Sequence, residues 1–297
     1  MANFEIPTEQ ISKLQEKSLK MALFFDKFCA EHDLTFFLCG GCCIGAIRTG
    51  GFIPWDDDVD VFMPRKDYER LKELWVDTPE YSIQYTTKDF ITQNQFLTIC
   101  DNNTTFIKTY QKDLDINHGL VLDVLPLDGC PAGIKRKFQK LWALAYSLFI
   151  VGKAPENHGK LVYAIGKLAL ALVPTKAMRY HIWRFCEKKM TQYRIEDWDS
   201  ITELCSGPNY MQNEYPKEIF KKAIRVKFEG HNLPVPCGYD EYLTMAFGDY
   251  MKLPPAEKQV CHHEYEFIDM EHSYLCYRGI HYFTSKEKIK NADKASV

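Results

Sequence analysis

The most informative segment of the chain is residues 40–64, which read GGCCIGAIRTGGFIPWDDDVDVFMP. A glycine pair precedes a short helix candidate, a second glycine pair and a proline form a turn, and four aspartates lead into apolar residues. Successive side chains of a strand point to opposite faces, so Asp58 and Asp60 share one face and the intervening valines enter the other. Asp56 joins them if the strand extends back. The pattern predicts a carboxylate cluster beside a buried strand.

A carboxylate cluster of this kind predicts a divalent cation. Neighbouring carboxylates repel each other, and a cation removes that cost. Oxygen ligands select Mg²⁺ or Mn²⁺ rather than zinc. An EF-hand counted from Asp56 is disfavoured, because Val61 replaces the glycine of that loop and Asp67 replaces its final glutamate. Such ions neutralise a phosphoryl group during transfer and hold the attacking and leaving oxygens in line, so phosphoryl-transfer chemistry is predicted.

Three further features fit phosphoryl transfer. Asp123 is a single charge in an apolar strand candidate at residues 119–125, and a buried aspartate requires a metal or a cation. It is therefore the predicted third carboxylate. Gly40 and Gly41 let backbone N–H groups approach phosphate oxygens at a helix start, and Arg48 adds a charge-assisted contact. Each feature alone is as well explained by a turn or a surface residue, and the combination carries the prediction.

The bulk composition limits the classes of partner and compartment. The chain has 297 residues and a formal net charge of -3, which disfavours a nucleic-acid partner. Its 11 cysteines follow no regular framework, and residues 1–17 contain no apolar signal segment. These observations predict a cytoplasmic protein with free thiols.

The chain changes character at about residue 132. Before it, an amphipathic helix is predicted at residues 8–31, and short strands are predicted within residues 81–116. After it, helices dominate, with apolar segments at 141–151 and 161–173 that are shorter than the roughly 18 residues of a membrane span. A buried helical hairpin is the favoured interpretation of these two segments, and an interfacial membrane helix is the alternative.

Three segments resemble the LicD family of phosphotransferases, which includes the fukutin-related proteins. The first is GG-x(3)-GAIR-x-GGFIPWDDDVDVFMPR-x-DYERL, and the second is LVLDVLPLDG, in which an apolar strand leads to Asp and Pro-Leu-Asp-Gly. The third is VPCGYDEYLTMAFGDYMKLPPAEKQVCHH at residues 235–263. The resemblance spans residues 15–274, although residues 132–230 match no motif of the family.

The resemblance implies an α+β fold, with a nucleotidyltransferase-like mixed sheet flanked by helices and a helical C-terminal half. Residues 1–131 would form the catalytic core, and residues 132–285 would form a mainly helical region that completes the site. Residues 286–297 are expected to form a flexible tail.

The resemblance also implies an activity. Members transfer phosphocholine, or a phospho-alditol such as glycerol or ribitol phosphate, from a CDP-activated donor to a sugar hydroxyl, and CMP leaves. The acceptors belong to cell-surface glycans such as lipopolysaccharide, teichoic acid or capsule. A lipid-linked acceptor would bring the protein to the inner face of a membrane, with peripheral contact through residues 141–173.

The family motifs assign roles to individual residues. Asp58 and Asp60 would hold the metal ions, with Asp56 as their neighbour. Asp123 would be the third carboxylate and the base on the acceptor hydroxyl. The residues expected to face the donor phosphates are Gly40, Gly41 and Arg48. His262 and His263 match a terminal histidine position, where His263 would contact donor or acceptor, although a histidine held only by a hydrogen bond explains the position nearly as well.

Three other functions remain open on the residues alone. A GT-A glycosyltransferase explains Asp58 and Asp60, but not the upstream glycine pair or Asp123. A small-molecule nucleotidyltransferase shares every metal ligand and differs in releasing pyrophosphate. A non-catalytic scaffold of a glycan-assembly complex would bind neither metal nor nucleotide.

Overall fold

The computed structural model describes residues 8–261 and 264–286. In chain order its α-helices are α1 (Thr8–Glu31), α2 (Gly40–Arg48), α3 (Arg65–Leu74), α4 (Gly133–Val151), α5 (Lys160–Leu172), α6 (Lys176–Met190) and α7 (Tyr239–Phe247). Its strands are β1 (Phe37–Leu38), β2 (Val59–Pro64), β3 (Tyr81–Gln84), β4 (Leu97–Asp101), β5 (Thr105–Lys108), β6 (Val121–Cys130), β7 (Ser200–Glu203), β8 (Tyr215–Pro216), β9 (Ala223–Phe228), β10 (His231–Pro236) and β11 (Tyr265–Asp269).

A seven-stranded mixed sheet lies at the centre of the fold. Its main order is β1-β2-β6-β4-β3, and β7 pairs with both β6 and β8. Strands β2 and β6 are parallel, from Val59 opposite Leu122 to Pro64 opposite Leu127. The first residues of the ten-residue β6 also pair with β4 and its last residues with β7, both antiparallel. This apolar strand is therefore the element around which the sheet is built.

The N-terminal helix packs on the apolar side of this sheet. The predicted helix at residues 8–31 is confirmed by α1, whose Leu14 and Phe25 are fully buried in the main core. Short strands within residues 81–116 are also confirmed, as β3, β4 and β5. The predicted α+β class, with a mixed sheet, flanking helices and a helical C-terminal half, is confirmed.

The central sheet contains strands from both sides of residue 132, where the sequence changes character. Strands β7 and β8 come from beyond residue 131 and extend the sheet formed by the earlier strands. Main-core side chains likewise run from Leu14 to Met270. The division into residues 1–131, 132–285 and 286–297 stays a prediction, and of the predicted tail only Lys286 lies within the described residues.

The helices α4 and α6 form a second, smaller core. Tyr146 of α4 and Trp183 of α6 are buried there, with ring centroids 6.1 Å apart.

The predicted buried hairpin is wrong for α5, in which only Gly166 and Leu170 are buried. Apolar sequence alone does not determine what covers a helix, and here nearly all of the α5 surface is exposed.

None of the helices within the described residues is by itself long and apolar enough to cross a membrane. Helix α5 and the segment Lys176–Asp197, bent by 117° at their junction, together have the length and composition of a broken span.

Candidate active site

The aspartate run lies in a turn that leads into β2. Residues 56–58 precede the strand, yet Asp56, Asp57 and Asp58 each place a carboxylate oxygen within 4.8 Å of the others. Asp57 is only 3% exposed, whereas its two neighbours are partly buried. The turn therefore collects three carboxylates, of which the strand alternation argument had selected two.

The next aspartate lies on the strand itself. Asp60 of β2 is in register with Asp123 of β6, so the two predicted carboxylates occupy neighbouring strands. The flanking Val59 and Val61 are fully buried on the other face, as the alternation predicts. Burial, with the nearby carboxylates of Asp58 and Asp123, raises the pKa of Asp60 well above its usual range. The site thus concentrates negative charge that a cation would relieve.

A lysine that sequence reasoning missed lies beside Asp123. The Lys108 ammonium at the end of β5 is 3.6 Å from Asp123 Oδ2, and both side chains are at most 10% exposed. Burial opposes the charge on Lys108, but Asp123 and the other carboxylates outweigh it and raise the pKa. The other oxygen, Asp123 Oδ1, is buried and has no hydrogen-bond partner among the described residues. The overlooked signal was a single cation within the otherwise uncharged strand TFIK.

The glycine pair allows α2 to begin against the aspartate turn. Gly40 has a φ of +52°, a conformation that favours glycine, and its N–H donates to the hydroxyl of Tyr242 at 3.0 Å. A Cβ atom at Gly41 would collide with the carboxylate of Asp56. The absence of a side chain at Gly41 is therefore what lets the start of α2 and the turn approach so closely.

These elements line one cavity of about 910 Å³. Of the residues that the sequence singled out, it is lined by Gly40, Gly41, Arg48, Asp56, Asp58 and Asp60. Asp123 does not line the cavity, but it is the strand neighbour of Asp60. Six positions separated by up to twenty residues in sequence therefore lie on one concave surface.

The opposite wall comes from the C-terminal part of the chain. Arg48 donates a hydrogen bond to the carbonyl of Tyr250, which ties α2 to the segment that follows α7. Phe247 and Tyr250 also line this wall. The lining side chains that sequence analysis did not select are Tyr210, Lys252 and Lys258 of the wall, and Trp55 and Asp57 of the aspartate segment. Aromatic and cationic residues are common throughout the sequence, so only the fold identifies these. The predicted contacts of His262 and His263 lie outside the described residues.

The family description "LicD/FKTN/FKRP, nucleotidyltransferase domain" matches residues 33–127. This range runs from the end of α1 to β6 and includes the glycine pair, the aspartate turn and both strands that carry the carboxylates. Residues 33–127 therefore match the nucleotidyltransferase domain of the LicD family, which confirms the resemblance identified from the motifs.

A relative extends the similarity beyond this domain. The chain is 29% identical over 253 residues to the lipopolysaccharide cholinephosphotransferase LicD of Haemophilus influenzae. The aligned region covers 81% of this chain and 91% of that protein. The similarity therefore includes part of the region in which no family motif was recognised.

Proposed function

We propose that this protein is a LicD-type phosphotransferase that moves phosphocholine from a CDP-activated donor to a sugar hydroxyl, with release of CMP. The observation that carries the proposal is the single cavity lined by the glycine pair, Arg48 and the aspartates of the turn and β2. Its volume of about 910 Å³ is in the range of pockets that enclose small organic ligands.

The carboxylate arrangement suits Mg²⁺ or Mn²⁺ as the cofactor. Asp58 and Asp60 are the proposed ligands, with Asp56 beside them, and Asp57 is close enough to contribute. The donor set consists of carboxylate oxygens, which these hard cations prefer. A bound ion would supply charge neutralisation to the donor phosphates.

Asp123 is proposed as the third carboxylate and as the base. Its Oδ2 faces Lys108, whereas the buried Oδ1 has no hydrogen-bond partner among the described residues and can accept a metal ion or a proton. Lys108 would fix the orientation of this carboxylate through their ion pair. The acceptor hydroxyl would transfer its proton to this carboxylate as its oxygen attacks phosphorus, and the CMP oxygen would leave.

The start of α2 is proposed to bind the donor phosphates. Gly41 leaves room beside Asp56, and the first turn of a helix presents N–H groups that attract anions. The N–H of Gly40 donates to Tyr242, so Gly40 would contribute mainly through its backbone conformation. Arg48, Lys252 and Lys258 add positive charge to the same cavity. A role for His263 in contacting donor or acceptor also remains a proposal.

The aromatic wall favours phosphocholine over a phospho-alditol. Tyr210 and Phe247 lie with ring centroids 6.2 Å apart, and Trp55 lines the same cavity. Aromatic faces attract a quaternary ammonium group, whereas glycerol or ribitol would require hydroxyl-binding partners. The similarity to a lipopolysaccharide cholinephosphotransferase supports the same choice.

The acceptor is proposed to be a lipid-linked cell-surface glycan, with lipopolysaccharide favoured by that relative over teichoic acid or capsule. The protein would act from the cytoplasm, at the inner face of the membrane. Peripheral membrane contact through residues 141–173 belongs to this proposal, because a lipid-linked acceptor would present its glycan at a bilayer.

Product analysis tests the proposed reaction. The protein would be incubated with CDP-choline, Mg²⁺ and a lipopolysaccharide acceptor, and the products would be separated and quantified. Release of CMP in equal amount to the phosphocholine incorporated is expected. Pyrophosphate released from a nucleoside triphosphate would instead indicate a nucleotidyltransferase, and turnover of a nucleotide-sugar would indicate a glycosyltransferase. No binding of any nucleotide would favour the scaffold function.

A further inference from the structure

Helices α4, α5 and α6 expose a large share of the apolar side chains on the surface of the described residues. Of the 21 large hydrophobic side chains that are exposed, 12 lie between residues 133 and 190. Leu161, Leu168 and Leu172 of α5 are 73%, 63% and 70% exposed. Contiguous apolar surface on this scale marks an interaction site.

Helix α4 is apolar on two opposite sides. Its buried side carries Ala143, Tyr146 and Ile150, which pack in the second core. Ile134, Phe138 and Leu141, at helical spacing, are at least 50% exposed. The exposed side is therefore not part of the second core.

The three exposed helix surfaces are connected. Trp142 of α4 meets Phe185 of α6 at a centroid distance of 5.6 Å. Helix α5 approaches α4 at Gly166, where a Cβ atom would lie 3.5 Å from the side chain of Leu148. We call this combined surface of α4, α5 and α6 the helical face.

The helical face is also strongly cationic. Residues 133–190 contain twelve lysines and arginines against two glutamates, a formal charge of +10 in a chain of net charge -3. The rest of the chain therefore carries -13. Of the cations in residues 133–190, Arg136 is buried and paired with Glu214, so it does not belong to the exposed surface. Lys160, Lys167 and Lys176 are exposed next to the apolar side chains, where lysine stems can lie along the apolar surface with the ammonium groups in water.

We propose that the helical face docks on the surface of a bilayer that contains anionic phospholipids. The apolar side chains would enter the boundary between headgroups and acyl chains, and the lysines would contact lipid phosphates. A second copy of this chain fits the surface less well, because it would bring a second strongly positive surface against the first. This inference rests on the proposed membrane contact and adds the lipid class and the three helices responsible.

Co-sedimentation of the full chain with vesicles tests the proposal. Vesicles of phosphatidylcholine alone would be compared with vesicles that also contain phosphatidylglycerol. We expect at least about tenfold tighter binding to the anionic vesicles, and loss of that advantage at high salt. Equal binding to both vesicles would overturn the charge selectivity, and no binding to either would overturn the proposal.

Matched variants locate the binding surface. The combined change Leu161→Ser, Ile165→Ser and Leu168→Ser keeps the net charge and should lower vesicle binding by about tenfold or more. The control changes three side chains of similar exposure elsewhere and should bind like the unaltered protein; it combines Val76→Ser, Leu275→Ser and Ile280→Ser. Equal losses in the two triple variants would overturn the assignment to the helical face.

A second pair of variants tests the charges. Lys160→Gln, Lys167→Gln and Lys176→Gln together should remove most of the preference for phosphatidylglycerol. The control replaces three other exposed lysines, Lys13, Lys88 and Lys227, by glutamine, and should keep that preference.

Two further measurements separate the alternatives. A dimer in analytical ultracentrifugation that the serine triple variant converts to a monomer, without vesicle binding, would make the helical face a protein interface and overturn the proposal. Thermal stabilisation by CDP-choline and Mg²⁺ in the absence of vesicles reports the proposed activity independently. Stabilisation without vesicle binding would contradict only the lipid inference, whereas vesicle binding without stabilisation would contradict only the proposed donor.

Discussion

The aspartate cavity and the helical face reverse the usual placement of polar and apolar groups. In and directly beside the cavity, the carboxylates of Asp57 and Asp123 are at most 8% exposed and lie close to fully buried valines. On the helical face, leucines such as Leu161 and Leu172 are at least 70% exposed among lysines. Burying charge costs stability, and an exposed leucine contributes almost none, so each arrangement points to a binding partner outside the folded chain.

The two regions should respond differently to substitution. In the cavity, the carboxylates repel each other and are held together by the close approach of two backbone segments, so single substitutions should have large effects on activity. On the helical face, the side chains contribute little to folding, so changes should affect docking and leave stability unaltered. The following substitutions test this contrast.

The largest expected effect is at the metal-binding carboxylates. Asp58→Ala and Asp60→Ala should each lower turnover by about a thousandfold or more, because each removes a proposed metal ligand. Neither removes core packing, so the circular dichroism spectrum should be unaltered. Asp89→Ala removes an exposed aspartate elsewhere and is the control. Full activity in either cavity variant would show that the site is placed wrongly.

Removing the lysine of the Lys108–Asp123 ion pair should be strongly destabilising. Lys108→Met leaves a buried carboxylate without its cation and should lower the free energy of unfolding by about 3 kcal/mol, measured by urea denaturation. Lys108→Arg keeps the charge and should retain most of that stability. Mg²⁺ should restore part of the loss in the methionine variant, and a loss that is insensitive to Mg²⁺ would contradict a shared metal site.

The role of Asp123 itself is separable from donor binding. Asp123→Asn should retain binding of CDP-choline but lower turnover by about a hundredfold, because an amide cannot take the acceptor proton. Titration calorimetry and initial rates measure the two effects. An unaltered rate would exclude Asp123 both as base and as third ligand.

A smaller effect is expected at the glycine pair. Gly41→Ala introduces a methyl group against Asp56 and should weaken Mg²⁺-dependent donor binding by about tenfold. In the background of Asp56→Ala the collision is gone, so adding Gly41→Ala should cost little further affinity. Independent, additive losses would indicate that Gly41 acts by some route other than the aspartate turn.

The smallest effect is expected on the helical face. Leu168→Ser should change the free energy of unfolding by less than about 0.5 kcal/mol, because the side chain is 63% exposed. Leu170→Ser, two residues away on the buried side of α5, should cost about 2 to 3 kcal/mol. Equal costs for these two leucines would mean that the exposed side of α5 is covered in the folded protein.

Much of the fold follows from local sequence patterns. The period of α1, the apolar run of β6 and the alternation in β2 each depend on neighbouring residues, and each was predictable. The exposure of α5 was not, because its apolar side chains are equally compatible with a core or with a lipid surface. A helix that binds a partner outside the chain and a helix buried inside the chain have the same apolar sequence pattern.

The candidate site shows the same limit. Asp60 and Asp123 could be selected because charges in apolar strands are rare, and Asp58 because it lies two residues before Asp60. Lys108 and Asp57 became evident only from the structure. The sheet places Lys108 beside Asp123, and the turn places Asp57 beside Asp56 and Asp58, although strand alternation alone would put Asp57 on the opposite face. The aromatic wall at Tyr210 comes from a segment without a family motif, so only the tertiary structure places it beside the aspartates.

The most direct test of the proposed activity is calorimetric titration of the protein with CDP-choline, with and without Mg²⁺. The cavity predicts saturable binding that requires Mg²⁺, that is lost in Asp60→Ala, and that is stronger than binding of CDP-ribitol or CDP-glycerol. Binding that does not depend on Mg²⁺, or that persists in Asp60→Ala, would contradict the aspartate cavity as the donor site.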